Sequence, residues 1–558
     1  MALLEIKNLS FTYQGASNEA LRDINLEINQ GDFVLFCGES GCGKTTLLKL
    51  LKKQLRPNGS LQGQITYNGT DIENLDEKQS VCEIGYVMQN PENQTVTDKV
   101  WHELAFGLES LGEKTAVIRR KVAEICGFFG IGSWYHKRTC ELSGGQKQLL
   151  SLASVMVMNP SVLILDEPTA QLDPIAASEF LQSLRKINQE LGVTIIIAEH
   201  RLEEVFPMAS KVVLMDKAQV FLCDTPRNIG QRLANDDMSH KMSLALPTAV
   251  RVFYKTQGRG QTPLTVNEGK QYIASNFAGS NTTCSFEKAS HQDEIALQIS
   301  EGYFRYERDL PDVLNGVDIE VYKNEFLCIL GANGAGKTTL LRVLSGLKRL
   351  YKGKYRLWGK KIKDYNGNSL YRGNVACLPQ NPQNLFVKST VYDDLMETAK
   401  VVNTNVEQCK SMVEEVAQKL EITHLYQSHP YDLSGGEQQK AALAKILLMK
   451  PSIILLDEAT KGLDAYSKQT FAQVVDALKK DGKTIVMVTH DVEFAAEHAD
   501  RCAMFFDGQI VSCDNRVDFF ATNRYYTTAT ARMTRPYFTN AVTVDMAVEL
   551  CNLNKGDK

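Results

Sequence analysis

Two short stretches carry the residue types that grip phosphates. Gly38-Glu-Ser-Gly-Cys-Gly-Lys-Thr45 and Gly331-Ala-Asn-Gly-Ala-Gly-Lys-Thr338 both read Gly-x-x-x-x-Gly-Lys-Thr. Backbone N–H groups in a glycine-rich turn ahead of a helix form a nest for phosphate oxygens. Gly38, Gly41 and Gly43, and their counterparts Gly331, Gly334 and Gly336, let the backbone come close. In this pattern Lys44 and Lys337 reach the β- and γ-phosphates, Thr45 and Thr338 ligate Mg²⁺, and Thr46 and Thr339 complete the loops. Further on, the apolar runs 162–165 and 453–456 end at Asp166-Glu167 and Asp457-Glu458. The aspartate is expected to hold Mg²⁺ through water and the glutamate to polarise the attacking water, with positioning and charge stabilisation supplying most of the rest.

A third signal is Leu142-Ser-Gly-Gly-Gln146, which recurs as Leu433-Ser-Gly-Gly-Glu437. Ser143 and Ser434 sit where helices should begin, and a helix N-terminus with a free hydroxyl is a second phosphate site. Alone, each serine would read simply as a helix cap. The spacings decide otherwise: Tyr to Lys is 31 residues in both halves, Ser to Asp is 23, and Asp166 to Asp173 matches Asp457 to Asp464 at 7. The chain is an internal duplication.

The elements that must position these groups follow from the punctuation. Residues 33–37 and 326–330 read as buried strands running into the glycine loops, and residues 45–55 and 338–347 as the helices after them. Residues 146–158 read as a helix behind the signature serine. Strand, loop and helix with continuous apolar strands predict a mostly parallel α/β sheet in each half, with ligands at the carboxyl edge. We expect domains at 1–240 and 297–515, a connector at 241–296 and a tail at 516–558. Within the connector, residues 257–263 read as loop and 279–283 as a flexible linker. The tail shows one helix, 543–553, and no legible chemistry.

Bulk properties exclude several classes. A chain of 558 residues is too long for one core. A net charge of -4 gives no overall pull toward nucleic acid. No apolar run nears the roughly 20 residues that span a bilayer, so no direct membrane insertion is expected. The N-terminus lacks the layout of a secretory signal. The 13 cysteines are scattered without a Cys-x-x-Cys, which suits a reducing compartment. The nine histidines show no zinc spacing, so the only metal expected is Mg²⁺ arriving with nucleotide.

Taken together, the motifs resemble a pair of ATP-binding cassette (ABC) ATPases, and the resemblance covers nearly all of residues 1–225 and 297–515. It implies two P-loop domains, each a RecA-like, mostly parallel sheet with an antiparallel β subdomain and a helical signature subdomain. It also implies that the halves pair within the chain and that each ATP lies between one P-loop and the other half's signature. One site would then join Lys44, Asp166 and Glu167 with Ser434 and Gly436, and the other Lys337, Asp457 and Glu458 with Ser143 and Gly145. By the same resemblance Tyr13 and Tyr306 stack adenine, although a core aromatic on an N-terminal strand fits them equally well. Gln89 and Gln380 contact Mg²⁺ and signal to a partner, His200 and His490 sense the γ-phosphate, and Asp173 and Asp464 couple the sites. Both halves keep every catalytic group, so two active sites are expected. Glu437 in place of the usual Gln, and Ala459 in place of Pro, are mild departures in the second half.

Three kinds of work could be driven: an importer with separate membrane subunits, a ribosome or translation factor, or a DNA-repair ATPase. Repair would want zinc-type cysteine pairs or a long coiled-coil insertion. A ribosome factor would want a long charged helical connector or an iron–sulfur region. The importer reading has positive marks. Gln89-Asn-Pro-Glu-Asn-Gln94, Ala198-Glu-His-Arg201 and Leu246-Pro-Thr-Ala-Val-Arg251 are similar to energy-coupling factor (ECF) ATPases in their fused form. That resemblance implies a peripheral protein on the cytoplasmic face of the membrane. Its partners would be an integral-membrane scaffold and a small substrate-capture membrane subunit. Glu92 would meet an arginine of the scaffold, where the second half has Gln383.

Overall fold

The computed structural model describes residues 2–235, 241–277, 294–365, 367–403 and 405–554. The expected linker at 279–283 lies outside the described residues. Two compact units are present, Met1–Thr265 and Val266–Lys558.

In the first unit the strands form two sheets. A four-stranded antiparallel sheet orders Leu21–Asn29, Ala2–Tyr13, Gly59–Tyr67 and Thr70–Asp71. The six-stranded sheet orders Gln219–Asp224, Lys211–Asp216, Phe33–Gly38, Thr194–Ala198, Val162–Asp166 and Ile84–Val87, parallel except for its first edge strand. The order explains the site. The strand ending at the phosphate loop lies beside the strand leading to His200, which lies beside the strand ending at Asp166. Register sets Phe36 against Ala198 and Ala198 against Asp166, so all three motifs leave the sheet at one carboxyl edge. These three central strands are buried throughout, as continuous apolar runs in a sheet covered on both faces must be.

The second unit repeats the plan. Its six-stranded sheet orders Val375–Leu378, Ile453–Asp457, Thr484–Thr489, Phe326–Leu330, Arg501–Phe506 and Gln509–Asn515. Leu330 pairs with Thr489, and Asp457 with Val488. Its antiparallel sheet is built on Ile295–Phe304 and Leu314–Tyr322. In each unit a helical subdomain carries the signature. In the first, the helices Val100–Ser110, Thr115–Phe129 and Gly144–Met156 close around Leu104, Leu108, Val122, Ile131 and Leu150.

Several element boundaries differ from expectation. The phosphate-loop helices are Lys44–Leu50 and Lys337–Leu344, starting one residue earlier and ending sooner than predicted. Lys52 breaks the first one: it is extended, and its buried ammonium donates to the Ser80 carbonyl at 2.7 Å. The signature helix is Gly144–Met156, because both glycines are already helical behind the Ser143 cap. The tail holds more structure than one helix. Val544–Leu553 is present with Thr543 as its cap, but Arg516–Thr522 and Ala529–Thr534 are helices too. Phe519 and Phe520 bury themselves in the second unit's core. In the connector, Thr248–Lys255 and Val266–Phe277 are helices that no motif announced.

Candidate nucleotide sites

Each glycine loop has the backbone of an anion nest. Gly41 and Gly43 have φ of 82° and 103°, and Gly334 and Gly336 have φ of 77° and 108°, a left-handed conformation that only glycine adopts freely. A Cβ on Gly38 would meet the Met215 carbonyl at 2.4 Å, and one on Gly331 the Phe505 carbonyl at 2.4 Å, whereas one on Gly41 or Gly334 meets nothing within 4 Å. The outer glycines let the loop seat on the sheet, and the middle ones face open space where phosphates can lie. Lys44 is buried with Nζ donating to the Gly38 and Glu39 carbonyls, each at 2.9 Å. Lys337 does the same to Gly331 at 2.9 Å and Ala332 at 2.8 Å. Both ammonium groups are thus held inside the nest.

The acidic groups arrive as the strand order requires. Thr45 Oγ1 donates to Asp166 Oδ1 at 3.0 Å, and Thr338 Oγ1 to Asp457 Oδ1 at 3.1 Å. A hydroxyl beside a carboxylate is a pair of hard oxygen donors that fits Mg²⁺, which takes one or two protein ligands and fills its octahedron with water and phosphate oxygens. Among the described residues no cluster of three or more His, Cys, Asp or Glu could hold a metal by itself. Burial pushes the carboxyl of Asp166 above its ordinary range, helped by the charge of Glu167 and opposed by the Thr45 hydroxyl. Burial likewise lifts Asp457 to about 6, against the Thr338 hydrogen bond and with the Glu458 charge adding to the rise.

The glutamates stand next to the histidines. His200 Nε2 lies 2.8 Å from Glu167 Oε1, and His490 Nδ1 lies 2.5 Å from Glu458 Oε2. Burial opposes ionisation of Glu458, but the hydrogen bond and charge of His490, with Lys337 and Lys461 behind them, hold its carboxyl below the ordinary range. Glu167 and Glu458 both have positive φ, 45° and 54°, where non-glycine residues are uncommon. This turn aims each side chain back across the sheet edge toward its histidine. Gln89 Nε2 donates to Glu167 Oε2 at 2.8 Å, joining that loop to the same group, while Gln380 is exposed on the matching loop.

The remaining candidates take the following places. Tyr13 and Tyr306 are 39% and 45% exposed, so neither is a core aromatic. Their hydroxyls pair with Thr46 Oγ1 at 2.9 Å and Thr339 Oγ1 at 3.0 Å, over the start of the phosphate-loop helix. Asp173 and Asp464 cap the helices Pro174–Leu191 and Ala465–Lys480. Ser143 and Ser434 are exposed caps of the signature helices, each in a reciprocal capping box with the residue three positions on. There the halves differ. Both hydroxyls accept the N–H three residues on, at 3.3 Å from Gln146 and 3.4 Å from Glu437, but Ser434 Oγ also donates to the Glu437 carboxylate at 2.6 Å. Gly145 has a packing role, since a Cβ there would stand 2.9 Å from Ala176 Cβ; at Gly436 the nearest atom is Ser467 Oγ at 3.4 Å.

Two residues near the site were given no site role in the sequence reading. Glu199, 2% exposed, accepts the Thr169 N–H at 2.9 Å and its hydroxyl at 2.7 Å, tying the Asp-Glu turn to the strand of His200. Tyr86 donates to Asp166 Oδ2 at 3.4 Å, where the second half has Cys377. Glu199 stands in the quoted phrase Ala198-Glu-His-Arg201, where its neighbour His200 drew the reading, and Tyr86 sits inside an apolar run that only the pairing of Ile84–Val87 with Val162–Asp166 brings to the aspartate.

Comparison with known proteins shows the family. A family model described as ABC transporter matches residues 21–170 and 314–461. An ABC transporter ATP-binding protein of Bacillus thuringiensis subsp. konkukian (strain 97-27) is 40% identical over 551 residues, covering 99% of this chain and 98% of its own. Among solved structures, cbiO1 from Clostridium perfringens, part of the ABC transporter complex cbiONQ, aligns with 44% of this chain and 97% of its own at 31% identity and TM-score 0.39. The archaeal ribosome recycling factor aABCE1, solved with the ribosomal stalk protein aP1, covers 92% of this chain and 91% of its own at TM-score 0.56 and 21% identity, a likeness of fold alone. Two matched cassettes and an end-to-end relative place this chain in the ABC transporter family, as an ATP-hydrolysing protein that carries both ATPase domains in one polypeptide.

Proposed function

We propose that the chain energises an ECF-type importer of a micronutrient through separate membrane subunits, hydrolysing Mg²⁺-bound ATP in each half. Within each half, the nest and lysine hold the phosphates. The threonine and aspartate hold Mg²⁺, whose chemistry is to neutralise charge on the β- and γ-phosphates. Glutamate orients the attacking water, and histidine orients the glutamate. The observation that carries the importer reading is the surface beside the Gln loops. Val96 and Val387 each stand seven residues past their glutamine and are 66% and 71% exposed. In this reading a partner helix laid beside each loop would cover these two apolar side chains, which stand at one matched position in the two halves. No helix among the described residues is long and apolar enough to cross a membrane, so the membrane path belongs to other chains in this reading. The ECF-like phrases around Gln89, Glu199 and Leu246 support the same choice, as does the transporter name of the Bacillus relative.

Glu92 is 67% exposed and ion-paired with Lys147 of the signature helix at 2.7 Å, so a scaffold arginine there would compete with or join that pair. The test is recovery of multi-spanning membrane proteins from native membranes with the tagged chain. Val96→Asp with Val387→Asp, and separately Glu92→Lys, should abolish or weaken recovery while nucleotide binding is kept. Undiminished recovery would remove the docking surface, and recovery of ribosomes instead would overturn the importer reading.

A further inference from the structure

The helices that follow each six-stranded sheet are fastened to their cassettes in the same way. Glu203 stands three residues past His200, and its Oε2 accepts the Thr248 N–H at 2.8 Å and the Thr248 hydroxyl at 3.1 Å, at the first turn of Thr248–Lys255. Glu493 stands three residues past His490, and its Oε1 accepts the Ala529 N–H at 2.7 Å, at the first residue of Ala529–Thr534. A second fastening reaches the phosphate loops. Lys241 Nζ is 3.1 Å from Glu39 Oε1, and the Tyr526 hydroxyl donates to the Gly331 carbonyl at 3.4 Å. The chain itself repeats here: Leu264-Thr-Val-Asn267 at the start of one helix recurs as Val542-Thr-Val-Asp545 at the start of another. Within the second unit, Val266–Phe277 also packs on Ala529–Thr534.

ATP chemistry needs no carboxylate at this offset, and helix capping alone does not require that the cap come from the segment carrying the histidine. One turn of chain separates each glutamate from its histidine. In the second unit Asp491, in that turn, caps Val492–His498 and holds Lys468 Nζ at 2.5 Å. A charge-assisted bond at each end of so short a segment restricts where the imidazole can sit.

We propose that Glu203 and Glu493 are positioning residues of the ATPase. They anchor the histidine-bearing segments to the helical appendages, so that His200 meets Glu167 and His490 meets Glu458 in register for hydrolysis. The proposal rests on the reading that those four residues serve the hydrolytic step. The experiment uses the full-length chain. The pair E203A/E493A should lower kcat by about ten- to a hundredfold, the larger figure being what a 1 Å misplacement can cost, with KM for ATP unchanged. E203Q/E493Q should recover most of the loss, because a carboxamide oxygen still accepts the N–H.

A second variant removes the donor instead of the acceptor. Ala529→Pro suits the first position of a helix, and Thr528, at φ −67° and ψ 157°, suits the residue before proline. In an E203A background it should reproduce the effect of Glu493→Ala. Folded E203A/E493A with unaltered kcat, a rise in KM alone, or Gln variants as impaired as the Ala variants would each overturn the positioning role. E167Q/E458Q separates the two readings. If it is inactive while E203A/E493A is not slowed, only the positioning role falls; if it keeps turnover, the site reading is wrong and the proposal falls with it.

Discussion

Asp457 and Glu458 are neighbours in sequence and both buried, yet their carboxyls are pulled in opposite directions. Asp457 has a hydroxyl and a second acid beside it, so burial dominates and its folded value rises to about 6 from 3.8. Glu458 faces His490 and lysines, and they outweigh burial. The sign for stability follows from linkage. A carboxyl whose folded value lies above its unfolded value binds its proton more tightly when folded, so its contribution to stability falls as pH rises from about 4 to about 6. Asp457→Asn removes that penalty and leaves an oxygen for Thr338. The nucleotide-free variant should therefore be more stable at pH 8 by up to about 3 kcal/mol, at roughly 1.4 kcal/mol per unit, with a smaller gain at pH 5 and no hydrolysis in its half. Thermal unfolding at both pH values without Mg²⁺ checks this; no gain at pH 8 would contradict it. At this scale the sequence was highly legible. Lysines, aspartates and glutamates were singled out by motif and spacing, because phosphate chemistry demands fixed residue types at fixed offsets, whereas the histidines came in only through the family resemblance. The exposure of Tyr13 and Tyr306 was not legible, since a strand-end aromatic reads the same whether it faces core or solvent.

At the scale of elements, the two signature helices look alike in sequence and differ in what they touch. Gly145 lies where a Cβ would press Ala176 to 2.9 Å, while the closest neighbour at Gly436 is a serine oxygen at 3.4 Å. Gly145→Ala should therefore destabilise the first cassette by about 1 kcal/mol or more, in the lower range for overpacking. Gly436→Ala should be neutral or slightly stabilising, because alanine is favoured over glycine in a helix by about 1 kcal/mol. Chemical denaturation of both variants decides it, and equal effects would refute the packing argument. Strands and helix starts were readable because apolar runs and caps are local signals. Helix ends were less so: Lys52 terminates the first phosphate-loop helix through carbonyls some 30 residues away, on the Glu77–Glu83 helix and the strand after it. The helices of the tail carry only weak periodicity and are held by burial of Phe519, Phe520 and Val542.

For the whole molecule, the proposed reading gives both halves a complete set of hydrolytic groups. Glu167→Gln and Glu458→Gln should each reduce steady-state turnover, by as much as the 10²–10⁴-fold typical of a lost general base within the altered half. Undiminished turnover in either single variant would show that its half is not a working site. The duplication, the family and the reaction class were determined by the sequence alone, because paired motifs at equal spacing are improbable unless each half builds the same site. What only the tertiary structure decided lies between elements distant along the chain. Strand order delivers three motifs to one edge, Glu199 reaches Thr169, and carboxylates beside the histidines hold helices some 36 to 45 residues further on. Such contacts leave no local pattern, since a glutamate that caps a remote helix is spelled like any solvated one until the sheet brings its partner near.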